Sequence, residues 1–423
     1  MSHYAVVAPP LFSHVRALQA LAQALMARGH RITFIQPPEA RSLLSDANIA
    51  FEPVENLPAG TPTRAFRLTV NPRSLSLFGV IDDMAHATDR LCCALPAILN
   101  RLAVDGLIVD QMEPAGGLVA DALGLPFVSV ACALPVNREV GLPLPVMPFA
   151  WGTDRRAQKL YHSSQQIYDW MMRGHTRIIN RHARAFGLTP RQGLHDCLSP
   201  LAQISQTLPA LDFPRRALPA GFHAVGPLRS PGKTGRAAWP LDPSRPFIFA
   251  SLGTLQGHRF RLFNTIARAC RRLDAQLLIA HCGGLNSREV EKLRHAGASW
   301  VTDFADQDAV LRQAQAVVTH GGLNTVADAV KNITPILAIP IAFDQPGVAA
   351  RVAWSGTGRR ASRFSSSKTL AHHLDALLND NRYRENLSAM QAQLSSAGGA
   401  SAAALIVEQA LSPRFSTADK VAP

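Results

Sequence analysis

Within Val317-Val-Thr-His-Gly-Gly-Leu-Asn-Thr-Val-Ala-Asp328, one histidine, two adjacent glycines and four further polar side chains crowd into a dozen residues. The apolar run Ala316 to Thr319 reads as a buried strand, and a helix is expected from Asn324 to Lys331. Gly321 and Gly322, in the turn between them, let the backbone approach a ligand and adopt unusual dihedrals. The first amides of the helix have no partner of their own, and its dipole favours an anion there. His320, Asn324 and Thr325 add side-chain donors at the same spot. A diphosphate suits this chemistry. Each hydrogen bond to a charged group contributes about 1.5–3 kcal/mol, so a few hold it and no metal is expected. Asp328, four residues beyond Asn324, shares its helical face and offers a carboxylate to sugar hydroxyls. After the next expected strand, Ile336 to Ile339, Asp344 and Gln345 form an acid–amide pair able to grip neighbouring hydroxyls of a hexose.

A second constellation lies near the other end of the chain. His14 opens the first expected helix, where the dipole disfavours imidazolium, so a neutral ring able to accept a proton is expected. Asp110 ends a later apolar strand, Gly106 to Asp110, so both side chains should open into one crevice. A carboxylate beside His14 would fix its tautomer and stabilise its charged form.

Strands alternating with helices position these residues. Tyr4 to Ala8, Arg31 to Ile35, Gly106 to Asp110 and Pro126 to Val130 read as strands. His14 to Arg28 reads as a helix with Leu18, Leu21 and Leu25 on one face, ended by Gly29. A Pro-rich loop from Leu134 to Phe149 and a helix from about Gln158 to Phe186 follow. The alternation restarts at Pro246 to Ser251. Parallel sheets covered on both faces are implied. The division expected is a domain over 1–225, a linker over 226–246 with five prolines, a second domain over 247–411 and a disordered tail over 412–423. Ligands bind at the carboxyl ends of parallel strands, hence between the halves.

The 423 residues suit two domains. A net charge of +13 draws anionic ligands or lipid surfaces, and the absence of zinc-finger or RNA-binding signatures argues against nucleic acid. The six cysteines form no C-x-x-C pair and read as reduced thiols of a cytoplasmic protein. There is no signal-peptide pattern and no run of about 18 apolar residues.

The segment from Phe304 to Gln345 resembles the donor signature of family 1 UDP-glycosyltransferases. The resemblance implies a GT-B fold, two Rossmann-like domains facing across a cleft. It also implies that Phe304 and Gln307 serve the uracil and ribose, that His320, Asn324 and Thr325 serve phosphate, that Asp328 (in place of the usual Glu) serves the ribose, and that Asp344 and Gln345 serve the sugar. Ser251-Leu-Gly253-Thr254 matches the family's turn after the first strand of the second domain, and His14 and Asp110 match its base and partner. Departures are Asp306 for Pro, Ile333 for a common Gly, Val348 for a common Asn, and the loss of Gly and Pro around His14. The implied reaction is a single inverting displacement, with UDP-sugar as co-substrate and no cofactor.

The acceptor is expected to lie against the first half, near Leu142 to Trp151. Arg173, Arg177, Arg181 and Arg184 beside Trp170 form a basic amphipathic face suited to the inner surface of the cell membrane. A narrower likeness, over nearly the whole chain, to carotenoid-glucosylating members implies UDP-glucose as donor and the two ring hydroxyls of zeaxanthin as acceptors. A polyketide, macrolide or sterol acceptor stays open, as does a nucleotide-sugar-binding protein without turnover. A dehydrogenase is excluded because Pro9 to Ser13 is no G-x-G-x-x-G. Gly232-Lys-Thr234 lacks the spacing of a phosphate loop.

Overall fold

The computed structural model describes residues 1–55, 77–230 and 239–412. The first half contains β1 (His3–Val7), α1 (Phe12–Met26), β2 (Arg31–Gln36), β3 (Ala50–Pro53), α2 (Leu77–Leu102), β4 (Gly106–Asp110), α3 (Pro114–Leu123), β5 (Phe127–Ala131), α4 (Arg155–Ala185), β6 (Gln203–Ser205) and β7 (Phe222–Ala224). Its strands form one parallel sheet in the order β3-β2-β1-β4-β5-β6-β7. The second half contains β8 (Phe247–Ser251), α5 (Gly253–Gln256), α6 (Phe260–Arg272), β9 (Gln276–Ala280), α7 (Ser287–Ala296), β10 (Trp300–Thr302), α8 (Gln307–Leu311), β11 (Ala316–Thr319), α9 (Leu323–Lys331), β12 (Ile336–Ala338), α10 (Gln345–Trp354), β13 (Gly358–Arg360), α11 (Ser367–Asn379) and α12 (Arg382–Ser396). Its sheet is also parallel, in the order β10-β9-β8-β11-β12-β13.

Both sheets are apolar on both faces because strand side chains alternate. In β1, Tyr4 and Val6 enter one core while Ala5 and Val7 enter the other. In β8, Ile248 and Ala250 go to one side and Phe247 and Phe249 to the other. The expected leucine face of α1 is buried throughout, at Leu18, Leu21 and Leu25. Gly124 ends α3 in the left-handed conformation, and the Glu113 carboxylate caps its start by accepting from the Ala115 N–H.

Two features depart from the expected division. The second domain was expected to run to 411, yet the last helix, α13 (Gly399–Leu411), packs Ala403, Ala404, Val407 and Leu411 into the first domain's core beside α1. Its apolar stripe needs a partner, and α1 supplies one. Trp239 and Leu241, expected in the linker, already pack against the second domain's core. Residues 231–238 of the linker and 413–423 of the expected disordered tail lie outside the described residues.

Where the halves meet, Arg351 of α10 is completely buried and donates through Nε to Asp212 Oδ1 at 2.6 Å. Its guanidinium lies 4.2 Å from the Phe213 ring centroid. Arg215 donates to the other Asp212 oxygen at 2.7 Å. Burial raises the Asp212 pKa, but the two arginines outweigh it and hold the carboxyl below its usual range. Removing one partner of a buried pair strands a charge, so Asp212→Ala is expected to lose about 3–5 kcal/mol in denaturant unfolding. The depressed folded pKa means this contribution is present above the ordinary Asp value and lost as pH falls through the lower folded one.

Candidate active site

His14 lies in the first turn of α1 and Asp110 at the carboxyl end of β4, the neighbour of β1. His14 Nδ1 and Asp110 Oδ2 are 2.7 Å apart, and Asp110 has no solvent exposure. A carboxylate only accepts, so the Nδ1 proton faces it and Nε2 keeps its lone pair. The other Asp110 oxygen accepts from the Met112 N–H at 2.9 Å. The helix end was expected to disfavour imidazolium and Asp110 to stabilise it. The His14 pKa is raised: burial pulls it down, but the charge and hydrogen bond of Asp110, aided by Asp344, outweigh burial.

Across the cleft, His320 follows β11 and its ring lies between two glycines. A Cβ on Gly253 would stand 2.7 Å from His320 Cε1, and one on Gly322 would stand 2.7 Å from Nε2. Gly253 and Gly321 also have positive φ, +72° and +85°. Gly322, expected to share that conformation, has an ordinary φ of −65°. The imidazole, not the backbone angle, demands glycine there. Burial lowers the His320 pKa to about 4, so the ring is neutral and can donate one N–H.

On α9, Thr325 and Asp328 are joined to Gln307 of α8. Gln307 Nε2 donates to Asp328 Oδ2 at 2.6 Å, and Thr325 Oγ1 donates to Gln307 Oε1 at 3.3 Å. Arg229, from the connector and absent from the expected set, donates to both Asp328 and Asn324. Phe304 is 70% exposed. Thr254 is exposed at the start of α5, and Ser251 Oγ accepts from the Gly253 N–H at 3.4 Å. Gln345 Oε1 accepts the N–H groups of Ile341 and Ala342 at 2.9 and 2.8 Å, so only its amide N–H₂ remains for a sugar. Asp344 Oδ2 accepts from the first-domain Leu134 N–H at 3.3 Å, and burial raises its pKa.

Two of the family departures have local reasons. Asp306 caps α8, accepting from the Ala309 N–H. Val348 is fully buried in the second core. Ile333 holds a φ of +52°, a position natural to glycine.

A small recess opens at the carboxyl ends of β1 and β2, lined by Pro10, Val54 and the polar Asp83, His86, Arg90 and Glu113. Burial lifts the Glu113 carboxyl to about 8. The Leu142 to Trp151 segment, expected against the acceptor, touches both domains. Leu142 and Trp151 pack with Phe213 and Ala350. A side chain at Gly347 would collide with the Pro145 carbonyl. His14, Asp110 and Cys132 bring a nitrogen, an oxygen and a sulfur within 4.8 Å. Burial raises the Cys132 thiol well above its usual pKa.

Two facing parallel α/β domains with this cleft make the molecule a GT-B glycosyltransferase in architecture. A solved structure of the kitacinnamycin glycotransferase superposes with a TM-score of 0.77 over 97% of this chain and 99% of that one, at 21% identity. The family described as UDP-glucoronosyl and UDP-glucosyl transferase matches residues 202–396. The zeaxanthin glucosyltransferase of Pantoea ananas is 54% identical over 97% of this chain and 96% of its own. That of Pseudescherichia vulneris is 52% identical over 97% and 98%. The chain belongs to this family and is a UDP-dependent glycosyltransferase.

Gly322→Ala is expected to displace the His320 ring and weaken UDP binding measured by calorimetry, with the circular dichroism spectrum unchanged. Undiminished UDP affinity would show that His320 has no such role.

Proposed function

We propose that the enzyme transfers glucose from UDP-glucose to the ring hydroxyls of zeaxanthin, giving first the mono- and then the diglucoside. Identity above half over nearly the full length of two zeaxanthin glucosyltransferases supports the acceptor. The His14–Asp110 contact carries the mechanism. His14 Nε2 takes the proton of the acceptor hydroxyl as its oxygen attacks the anomeric carbon, and UDP leaves from the opposite face with inversion. Asp110 stabilises the imidazolium that forms. His320, the α9 amides, Asn324 and Thr325 receive the charge developing on the diphosphate, which needs no metal in this scheme. The donor hexose is held by Asp344 and Gln345, the ribose by Asp328.

UDP release with hydroxylated carotenoids, sterols and macrolides tests this. Turnover is expected only with hydroxylated ionone rings, and faster turnover of a macrolide would overturn the acceptor assignment. His14→Ala is expected to keep UDP binding and lose at least about 100-fold in turnover. Because the base acts when neutral and its pKa is raised, the acid limb of the pH profile is expected above the ordinary histidine value of about 6.5.

The face of α4 supports a working position at a membrane surface. Leu160, Ile167 and Trp170 are 45%, 59% and 56% exposed. They share a helical stripe with exposed Lys159, Arg177 and Arg184. Arg173 sits over the Trp170 ring at 5.0 Å. Arg181, expected in the same basic row, is instead paired with Asp89. The lone acidic residue of α4, Asp169, is paired with Arg138. Each basic residue near an anionic surface contributes about 1 kcal/mol. Among the described residues no helix is long and apolar enough to cross a membrane. Flotation with phosphatidylglycerol vesicles is expected for the native protein and not for Ile167→Glu/Trp170→Glu. Equal flotation of both would remove this face from that role.

A further inference from the structure

Arg229 has its main chain in one domain and its side chain in the other. Leu228 before it is buried in the first domain's core, and its N–H donates to Gln206 Oε1 at 2.8 Å. Ser230 after it donates to Gln23 of α1 at 2.6 Å. From this anchorage the guanidinium crosses to α9. Nε and Nη2 donate to Asp328 Oδ1 at 3.1 and 3.0 Å, Nη1 donates to Asn324 Oδ1 at 3.1 Å, and Nη2 donates to the Asn324 carbonyl at 3.0 Å. Gln307 occupies the other Asp328 oxygen. Both oxygens of the carboxylate assigned to the ribose are thus already held by protein donors. The guanidinium is 37% exposed, beside the same Asn324 that faces the diphosphate position.

We propose that Arg229 is a ligand for the donor's diphosphate, supplied from the first domain, and that it exchanges partners when nucleotide enters. The guanidinium leaves Asp328 for a phosphate oxygen, and the freed carboxylate oxygen accepts from a ribose hydroxyl. No charged group is stranded by the exchange. A diphosphate carries more negative charge than one carboxylate and matches the guanidinium fork. Nucleotide binding thereby links a segment anchored on α1, the helix that carries His14, to the donor pocket. This inference rests on α9 being the donor site.

Calorimetry with UDP, UMP and uridine on the native protein, Arg229→Ala and Arg229→Lys tests it, with thermal melting as a check on folding. Arg229→Ala is expected to lose about 10- to 100-fold in UDP affinity. Its uridine affinity should hold or improve, because Asp328 is no longer occupied. Arg229→Lys should recover part of the loss for UDP. A parallel loss for UDP and uridine would make Arg229 a structural prop, and tighter UDP binding by the alanine variant would make it a plug. Either result overturns the proposal. Unchanged UDP affinity in Arg229→Ala sinks Arg229 alone, whereas a native protein that does not bind UDP sinks the donor-site reading as well.

Discussion

A carboxylate with no solvent exposure cannot stand alone in a protein interior, and Asp110 depends on His14 and the Met112 amide for its partners. That requirement binds the end of β4 to the first turn of α1 and sets the histidine's tautomer. It also shifts the ring's proton affinity upward, against the burial that would lower it. The donor half uses the opposite device. His320, packed between glycines without a nearby carboxylate, is driven by burial to remain uncharged. Two imidazoles facing one cleft thus receive opposite proton affinities from their surroundings, one suited to gaining a proton and one to donating a neutral hydrogen bond.

Much of this was legible in the residues. Fully buried parallel strands are short apolar runs, so β1, β4, β8 and β11 stand out, and a turn of paired glycines before a helix is a strong local mark. His14 and Asp110 could be brought together because both follow strands of a parallel sheet. Other features leave no such mark. Arg229 is one basic residue in a proline-rich connector, with no periodicity to single it out, and its partners lie about a hundred positions away. Gly322 seemed to need its backbone freedom, whereas the neighbouring imidazole is the reason. That cause appears only when the ring is placed.

The long helix α2 was also hidden. It carries Pro96 in its interior and buries Asp83, Thr88 and Asp89, so its apolar stripe is broken by polar residues at core-facing positions. Two of those side chains have tertiary partners. Asp89 pairs with Arg181 and His182, and Thr88 with Glu113 and His175. The interdomain contacts of the Leu142 to Trp151 loop were hidden for a related reason. Its residues carry no periodicity that would show Leu142 and Trp151 packing with Phe213, Ala350 and Trp354.

The return of α13 to the first core means that the polypeptide passes between the halves twice, once through the connector after β7 and again between α12 and α13. Two covalent tethers define an axis. Opening of the cleft is restricted to rotation about the line joining them, and the halves cannot drift apart or twist freely as they could on a single strap. The same topology governs chimeras. A first half grafted from a relative carries a complete core only if it brings its own closing helix from the far end of the chain.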